Sequence, residues 1–181
     1  MINFIKKLSF SLLFIATASF AQDVPTQNQN NSGKVYMGLG LGLDYGGVGA
    51  KLEYLPIENV GIFAGLGYNL YSAGFNVGAS YKIKAGERVS FNPTAFYGYN
   101  GVIKVEGASE YDMVSYGVTF GVNIDIHVGK KGNKITAGLF VPIRSKKFSD
   151  NYDEVKNDYR VEMQAELIPI AVGVGYNWKL N

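Results

Sequence analysis

The feature that most constrains this chain is an apolar residue at every second position, sustained from Val35 almost to the end. Val35, Met37, Leu39, Leu41 and Leu43 begin it, then Val48, Ala50, Leu52 and Tyr54, then Val60, Ile62, Ala64, Leu66, Tyr68 and Leu70. It continues through Phe75–Ile83, Val89–Tyr99 and the even positions of Val114–Val128, and closes with Ile135–Ile143 and Ile168–Leu180. Successive side chains of a strand point to opposite faces, so a period of two predicts strands. Eight are counted, joined by segments such as Asp44–Gly47, Pro56–Asn59, Lys84–Glu87 and Gly129–Gly132. No helix and no second domain is suggested within residues 35–181.

Alternation does not say which face is wet. A soluble ligand-binding barrel puts the apolar face inside, whereas an outer-membrane barrel turns it to lipid. The apolar face carries no Asp, Glu, Lys or Arg, as both solutions require. The opposite face decides, because it is dense in glycine: Gly38, Gly40, Gly42, Gly49, Gly61, Gly65, Gly67, Gly78, Gly98, Gly117, Gly121, Gly138, Gly173 and Gly175 among others. Water-facing strand positions favour Thr, Lys or Glu, while a narrow barrel interior needs small residues so that larger side chains fit. Aromatic residues of the apolar face also sort by height when the strands run up and down. Tyr68, Phe75, Tyr97, Tyr99 and Tyr116 fall near one rim, and Tyr54, Tyr81, Phe91, Tyr176 and Trp178 near the other, with Phe120 between. Two such girdles mark the two faces of a bilayer. The expected fold is therefore an all-β, eight-stranded antiparallel up-and-down transmembrane β-barrel over residues 35–181.

The N-terminus agrees. Met1–Lys7 is positive, Leu8–Ile15 is apolar, and Ser19 and Ala21 occupy the small-residue positions before a cleavage at Gln22. Residues 1–21 read as a secretory signal peptide, and residues 22–34, polar and rich in Asn and Gln, as a disordered periplasmic leader. Residues 1–21 hold two of the 17 basic residues and none of the 15 acidic ones, so their removal leaves the two signs equal. That balance excludes nucleic acid as an expected partner. With no cysteine, a disulfide scaffold, a thiolate nucleophile, a Cys-based zinc site and a lipid anchor on Cys are excluded.

In its signal peptide, eight alternating strands and short lower turns, the chain resembles the small outer-membrane β-barrels of the OmpX and OmpA-transmembrane-domain type, often described as porin-family proteins. The resemblance covers Val35–Asn181 as a pattern. It implies a Gram-negative cell envelope, lipid of the outer membrane as surroundings, the outer-membrane assembly machinery as a partner during biogenesis, and a monomer. The chain departs from the pattern in its last residue: Tyr176, Trp178 and Leu180 alternate correctly, but Asn181 stands where an aromatic is common.

Candidate chemistry is sparse. The Gly-x-Gly-x-Gly run at Gly38–Gly42 lies inside a strand and opens no helix, so it reads as an inward stripe rather than a phosphate loop. His127, the single histidine, lies two residues from Asp125, without a nucleophile at the same height. Asp150, Asp153, Glu154 and Asp158 lack the spacing of a calcium loop. No catalytic, cofactor or metal site is expected. The informative polar group is a set of inward ionisable residues mapping to the lower lumen: Lys51, Glu53, Lys82, Arg88, Asp125, His127, Lys134 and Lys179. Charges in so dry a space must pair or stay hydrated, so Glu53 and Asp125 are expected in ion pairs. The function these residues suggest is non-enzymatic: an envelope-structural or surface-interaction role through outer loops, among which Ser145–Val161 is the longest connection. A narrow anion-preferring channel, an outer-membrane lipid-modifying enzyme and a soluble periplasmic ligand-binding barrel are the alternatives.

One irregularity is expected in the last strand. Val161, Met163, Ala165 and Leu167 are apolar on odd positions, but Ile168 to Leu180 on even ones. A one-residue slip turns every later side chain over unless a bulge absorbs it, which predicts a β-bulge at 166–169 beside Pro169. The alternative is that the strand begins at Leu167.

Overall fold

The computed structural model describes residues 33–69, 71–103, 105, 112–157 and 168–180. The expected signal peptide and all of the leader before Gly33 lie outside these residues. Within the unit formed by residues 31–181, the strands are β1 (Lys34–Gly42), β2 (Gly47–Ile57), β3 (Val60–Tyr68), β4 (Ala73–Tyr81), β5 (Ile83–Lys84), β6 (Val89–Ile103), β7 (Met113–Val128), β8 (Asn133–Pro142) and β9 (Ala171–Lys179). All ladders are antiparallel between neighbours, β1 pairs with β9, and β4 pairs with β6, so the sheet closes on itself.

The barrel has eight staves although nine strands are counted, because β4 and β5 are one stave with a break. Ser80 faces Thr94, and Ile83 faces Phe91 in the same register. Tyr81 and Lys82 between them stand opposite Pro93 and Asn92, and Pro93 has no N–H to give the ladder. On the other edge of the stave, toward β3, the Lys82 N–H donates to the Asn59 carbonyl at 2.7 Å. A second irregularity lies between Tyr54 and Ile57, where Leu55 and Pro56 share the place of one partner on β3. A third is Asn100, the extra residue between Tyr99 and Gly101 on β6.

The distribution of polarity is inverted relative to a water-soluble barrel. Among the described residues, 32 large apolar side chains are exposed and 12 are buried. Exposed strand positions carry no Asp, Glu, Lys, Arg or His except Lys84 at the lower rim. Buried positions include Lys51, Glu53, Lys82, Asp125, Lys134 and six asparagines. The lower end is defined here as the end where β1 begins; its turns are short, and the longer connections are at the upper end.

Four expectations are corrected. A helix, α1, covers Lys146–Asn157, within the connection read from sequence as loop. Its Phe148 and Val155 are fully buried against Ile103 and Val105 at the end of β6, with Met113 and Tyr152 alongside. Phe148 and Val155 are seven residues apart, two helical turns, and so share one face; the surrounding Lys, Asp and Asn hid this two-residue stripe. Tyr99, assigned to the upper girdle, is instead buried with Leu43, Phe63, Phe96 and Phe140. It follows Gly98, whose φ of +149° suits glycine, and precedes the Asn100 bulge, where the alternation is broken. The final strand begins at Ala171, opposite Phe140, rather than at Ile168; residues 161–167, which carry most of the predicted slip, lie outside the described residues. Leu43, read as the last apolar-face residue of the first strand, lies inside instead: Leu43–Tyr45 forms a 3-10 turn that is buried within the barrel.

Candidate functional site

The lower lumen holds an alternating square of two carboxylates and two ammonium groups. Glu53 comes from β2, Lys82 from the β4–β5 break, Asp125 from β7 and Lys134 from β8. Each is an inward position of its stave, and the curvature of an eight-stave barrel brings them to one level. Lys82 Nζ lies 2.5 Å from Glu53 Oε1 and 3.2 Å from Asp125 Oδ2. Lys134 Nζ lies 2.5 Å from Glu53 Oε2 and 2.8 Å from Asp125 Oδ2. Every acid thus meets both bases, and the group is neutral in sum. Thr136 Oγ1 donates to Asp125 Oδ1 at 2.6 Å, Asn177 Nδ2 donates to Thr136 Oγ1 at 2.9 Å, and Lys134 lies 4.5 Å from the Tyr36 ring centre. Buried charges are tolerated when paired and hydrogen-bonded in this way.

The sequence grouped eight ionisable residues, and the structure joins four of them in this square. Lys51 lies on β2 two residues before Glu53 and pairs with Asp44 of the inward turn, 4.2 Å from the Tyr45 ring centre. Arg88 is exposed, a correction: it sits in the turn before β6, where the strand alternation has not begun, and its carbonyl accepts from the His127 N–H at 2.7 Å. His127 is half-buried, and Asp125, its expected neighbour in a polar network, is held by Lys82, Lys134 and Thr136. Lys179 is half-buried near the Gly132 turn.

Below the square is a cavity of about 90 Å³ whose lining includes Tyr36, Lys82, Asp125, His127 and Lys134. At its rim Glu58 accepts from Lys34 at 3.4 Å and from Lys84 at 3.2 Å. The hydrogen bond from Lys84 holds the Glu58 carboxyl below its ordinary pKa. Above the square, Phe96 packs edge-on against both Phe63 and Phe140, with ring centres 5.9 and 5.3 Å apart. Charged square, aromatic layer and inward turn fill the lumen, as the width of an eight-stranded barrel allows.

Of the girdle residues, Tyr54, Tyr68, Phe75, Tyr81, Phe91, Tyr97, Tyr116 and Trp178 are exposed on the outer face. Tyr176 is half-buried, 5.0 Å from Trp178 between ring centres. Among the described residues no group of three or more His, Asp and Glu is placed to hold a metal ion. Sequence reasoning missed Asp44 and Tyr45 as lumen residues. The available signal was the pair of facts that Gly42, Gly46 and Gly47 flank them and that the glycine faces of four strands converge there. Compared with protein-family models, curated proteins and solved structures, the chain finds no match in any of the three.

Proposed function

We propose that this chain is an integral outer-membrane β-barrel protein without enzymatic activity, serving envelope structure or surface contact through its upper elements. The observation that carries the reading is the closed barrel with an apolar outside and a charged, asparagine-rich inside. Single exposed apolar side chains are ordinary, but a contiguous belt around the whole barrel is far beyond the few hundred Å² that soluble monomers expose. Lipid is the solvent in which that belt is favourable, and a closed ladder leaves no strand edge unpaired within it. The exposed aromatics toward both ends support the same placement.

The filled lumen favours a structural role over open diffusion. The single histidine stands at the lower end, and its acidic neighbour is consumed by ion pairs, which supports a non-catalytic reading. The docked α1 and the tall β6–β7 hairpin supply a formed surface at the upper end. Envelope fractionation followed by electrophoresis of boiled and unboiled protein tests the placement. Recovery in the outer-membrane fraction with a heat-dependent mobility shift is expected; a soluble periplasmic protein with one mobility would overturn it.

A further inference from the structure

The connection between β1 and β2 does not cap the barrel from outside; it folds down into it. Gly42 pairs with Gly47, so the hairpin could close with the four residues Leu43–Gly46 projecting upward. Instead Leu43, Asp44 and Tyr45 are all buried, Tyr45 completely. The reversal is made possible by glycine at Gly42, Gly46 and Gly47, whose φ values are +137°, +73° and +113°.

The inward glycines surround this segment. A Cβ on Gly40 would stand 2.7 Å from the Tyr45 ring, and one on Gly49 or Gly67 would stand 2.5 Å from the Tyr45 carbonyl oxygen. A Cβ on Gly175 would run into the Tyr45 hydroxyl, and one on Gly65 into the Asp44 carbonyl. Part of the glycine stripe on β1, β2, β3 and β9 is thus the mould of the turn. Polar contacts hold it in the mould. Lys51 pairs with Asp44, Asn76 Nδ2 donates to the Leu43 carbonyl, and the Tyr45 hydroxyl donates to Asn177 Oδ1 at 3.3 Å.

We infer that residues 43–46 are a latched plug: they seal the upper lumen, and the Asp44–Lys51 ion pair is the latch. Among the described residues Asp44 Oδ1 has no hydrogen-bond partner and Lys51 is the one cation paired with this buried carboxylate. Loss of Lys51 strands a charge inside, and returning the turn to water is the relief open to it. The aromatic layer of Phe63, Phe96 and Phe140 and the lower square of Glu53, Lys82, Asp125 and Lys134 are further seals in series. Solute passage then requires that all of them give way. This inference rests on the outer-membrane reading for its consequence, but the plug itself is tested without it.

The chain contains no cysteine, so one introduced thiol reports cleanly. In detergent-folded protein, Leu43→Cys should react with a bulky polar maleimide about 100-fold more slowly than Tyr71→Cys, an exposed upper-turn control. Adding Lys51→Met should bring the Leu43→Cys rate to within about tenfold of the control. Equal rates in the two single variants, or continued protection after Lys51→Met with the barrel still folded by its mobility shift, would overturn the plug or its latch respectively. If Lys51→Met prevents folding, Lys51→Gln strands the same carboxylate beside a polar, neutral side chain and provides the same readout. In planar bilayers, replacing Leu43–Gly46 by Asn-Gly should leave conductance at the wild-type level, because the aromatic layer and the square still fill the lumen below it, and combining it with Phe96→Ala and Glu53→Ala should let ions pass. Conduction by the first replacement alone, or silence of the inserted combination, overturns the series arrangement. Failure of every variant and the wild type to insert, with the thiol pattern intact, would count against the membrane reading and the sealing role while leaving the plug standing.

Discussion

At the scale of single residues, the lower lumen turns on reciprocity: each carboxylate touches both ammonium groups, so no member can be removed without stranding others. Glu53→Ala leaves Lys82 and Lys134 sharing Asp125. Breaking a buried pair from one side commonly costs about 3–5 kcal/mol, so a drop of that order in unfolding free energy, read by urea titration in lipid vesicles, is expected. Asp125→Ala should do the same and also orphan the Thr136 hydroxyl. Thr136→Val removes both that hydrogen bond and the one Thr136 Oγ1 accepts from Asn177, and should cost at least about 1.5–3 kcal/mol, the range for a single bond to a charged acceptor. If Glu53→Ala unfolds at the wild-type urea concentration, the square is not a stabilising unit. These four partners were legible as inward charges, because each keeps the phase of its strand. Ion pairs for Glu53 and Asp125 were expected, but which cations they meet was not legible, since β2, the β4–β5 break, β7 and β8 are separated by up to 81 residues in the chain.

Among the elements, the upper end carries most of what alternation could not reveal. Only two apolar residues of α1 are fully buried, and a helix so polar has little reason to form until Ile103 and Val105 offer a surface. Phe148→Ala should therefore undock α1 while leaving the barrel closed. Protease added to intact cells should then cut within 146–157 faster than in the wild type, with the turn at Gly129–Asn133 spared in both. Cleavage at that turn in intact cells would mean that the lower end faces outward. Elsewhere, breaks in regularity have identifiable causes. Pro93 interrupts the β4–β5 stave, Pro56 sits at the bulge before the β2–β3 turn, and Asn100 is accommodated because its amide donates to the Ile143 carbonyl at 2.9 Å.

For the molecule as a whole, the inside-out distribution of polarity sets the solvent. Leu66 is 64% exposed on the outer face, and Phe75 faces it across the β3–β4 ladder. Leu66→Arg should reduce stability in lipid vesicles by about 1–2 kcal/mol, below the ~2–4 kcal/mol of a cation at mid-bilayer because its partner Phe75 stands in the upper girdle. Gly65→Ala, one residue away on the opposite face, should also destabilise, but by crowding the Asp44 carbonyl rather than by meeting lipid. Changing acyl-chain length should alter the effect of Leu66→Arg and leave that of Gly65→Ala unchanged. Unchanged stability of Leu66→Arg in lipid would show that the apolar face is not the lipid face.

The sequence by itself determined the strands, their up-and-down order and the segregation of apolar from polar faces, because a period of two is a local property of the backbone. It also carried which charges face inward along Lys51–Glu53, Asp125 and Lys134. The tertiary structure decided what depends on closure. Four charges from separate staves become one neutral square only when the staves curve around a common lumen. Arg88 stays outside because it precedes its strand, and Tyr99 turns in at Gly98 and Asn100. Tyr45 becomes interior because glycines from β1, β2, β3 and β9 meet around it, a concavity that no one of those strands possesses alone.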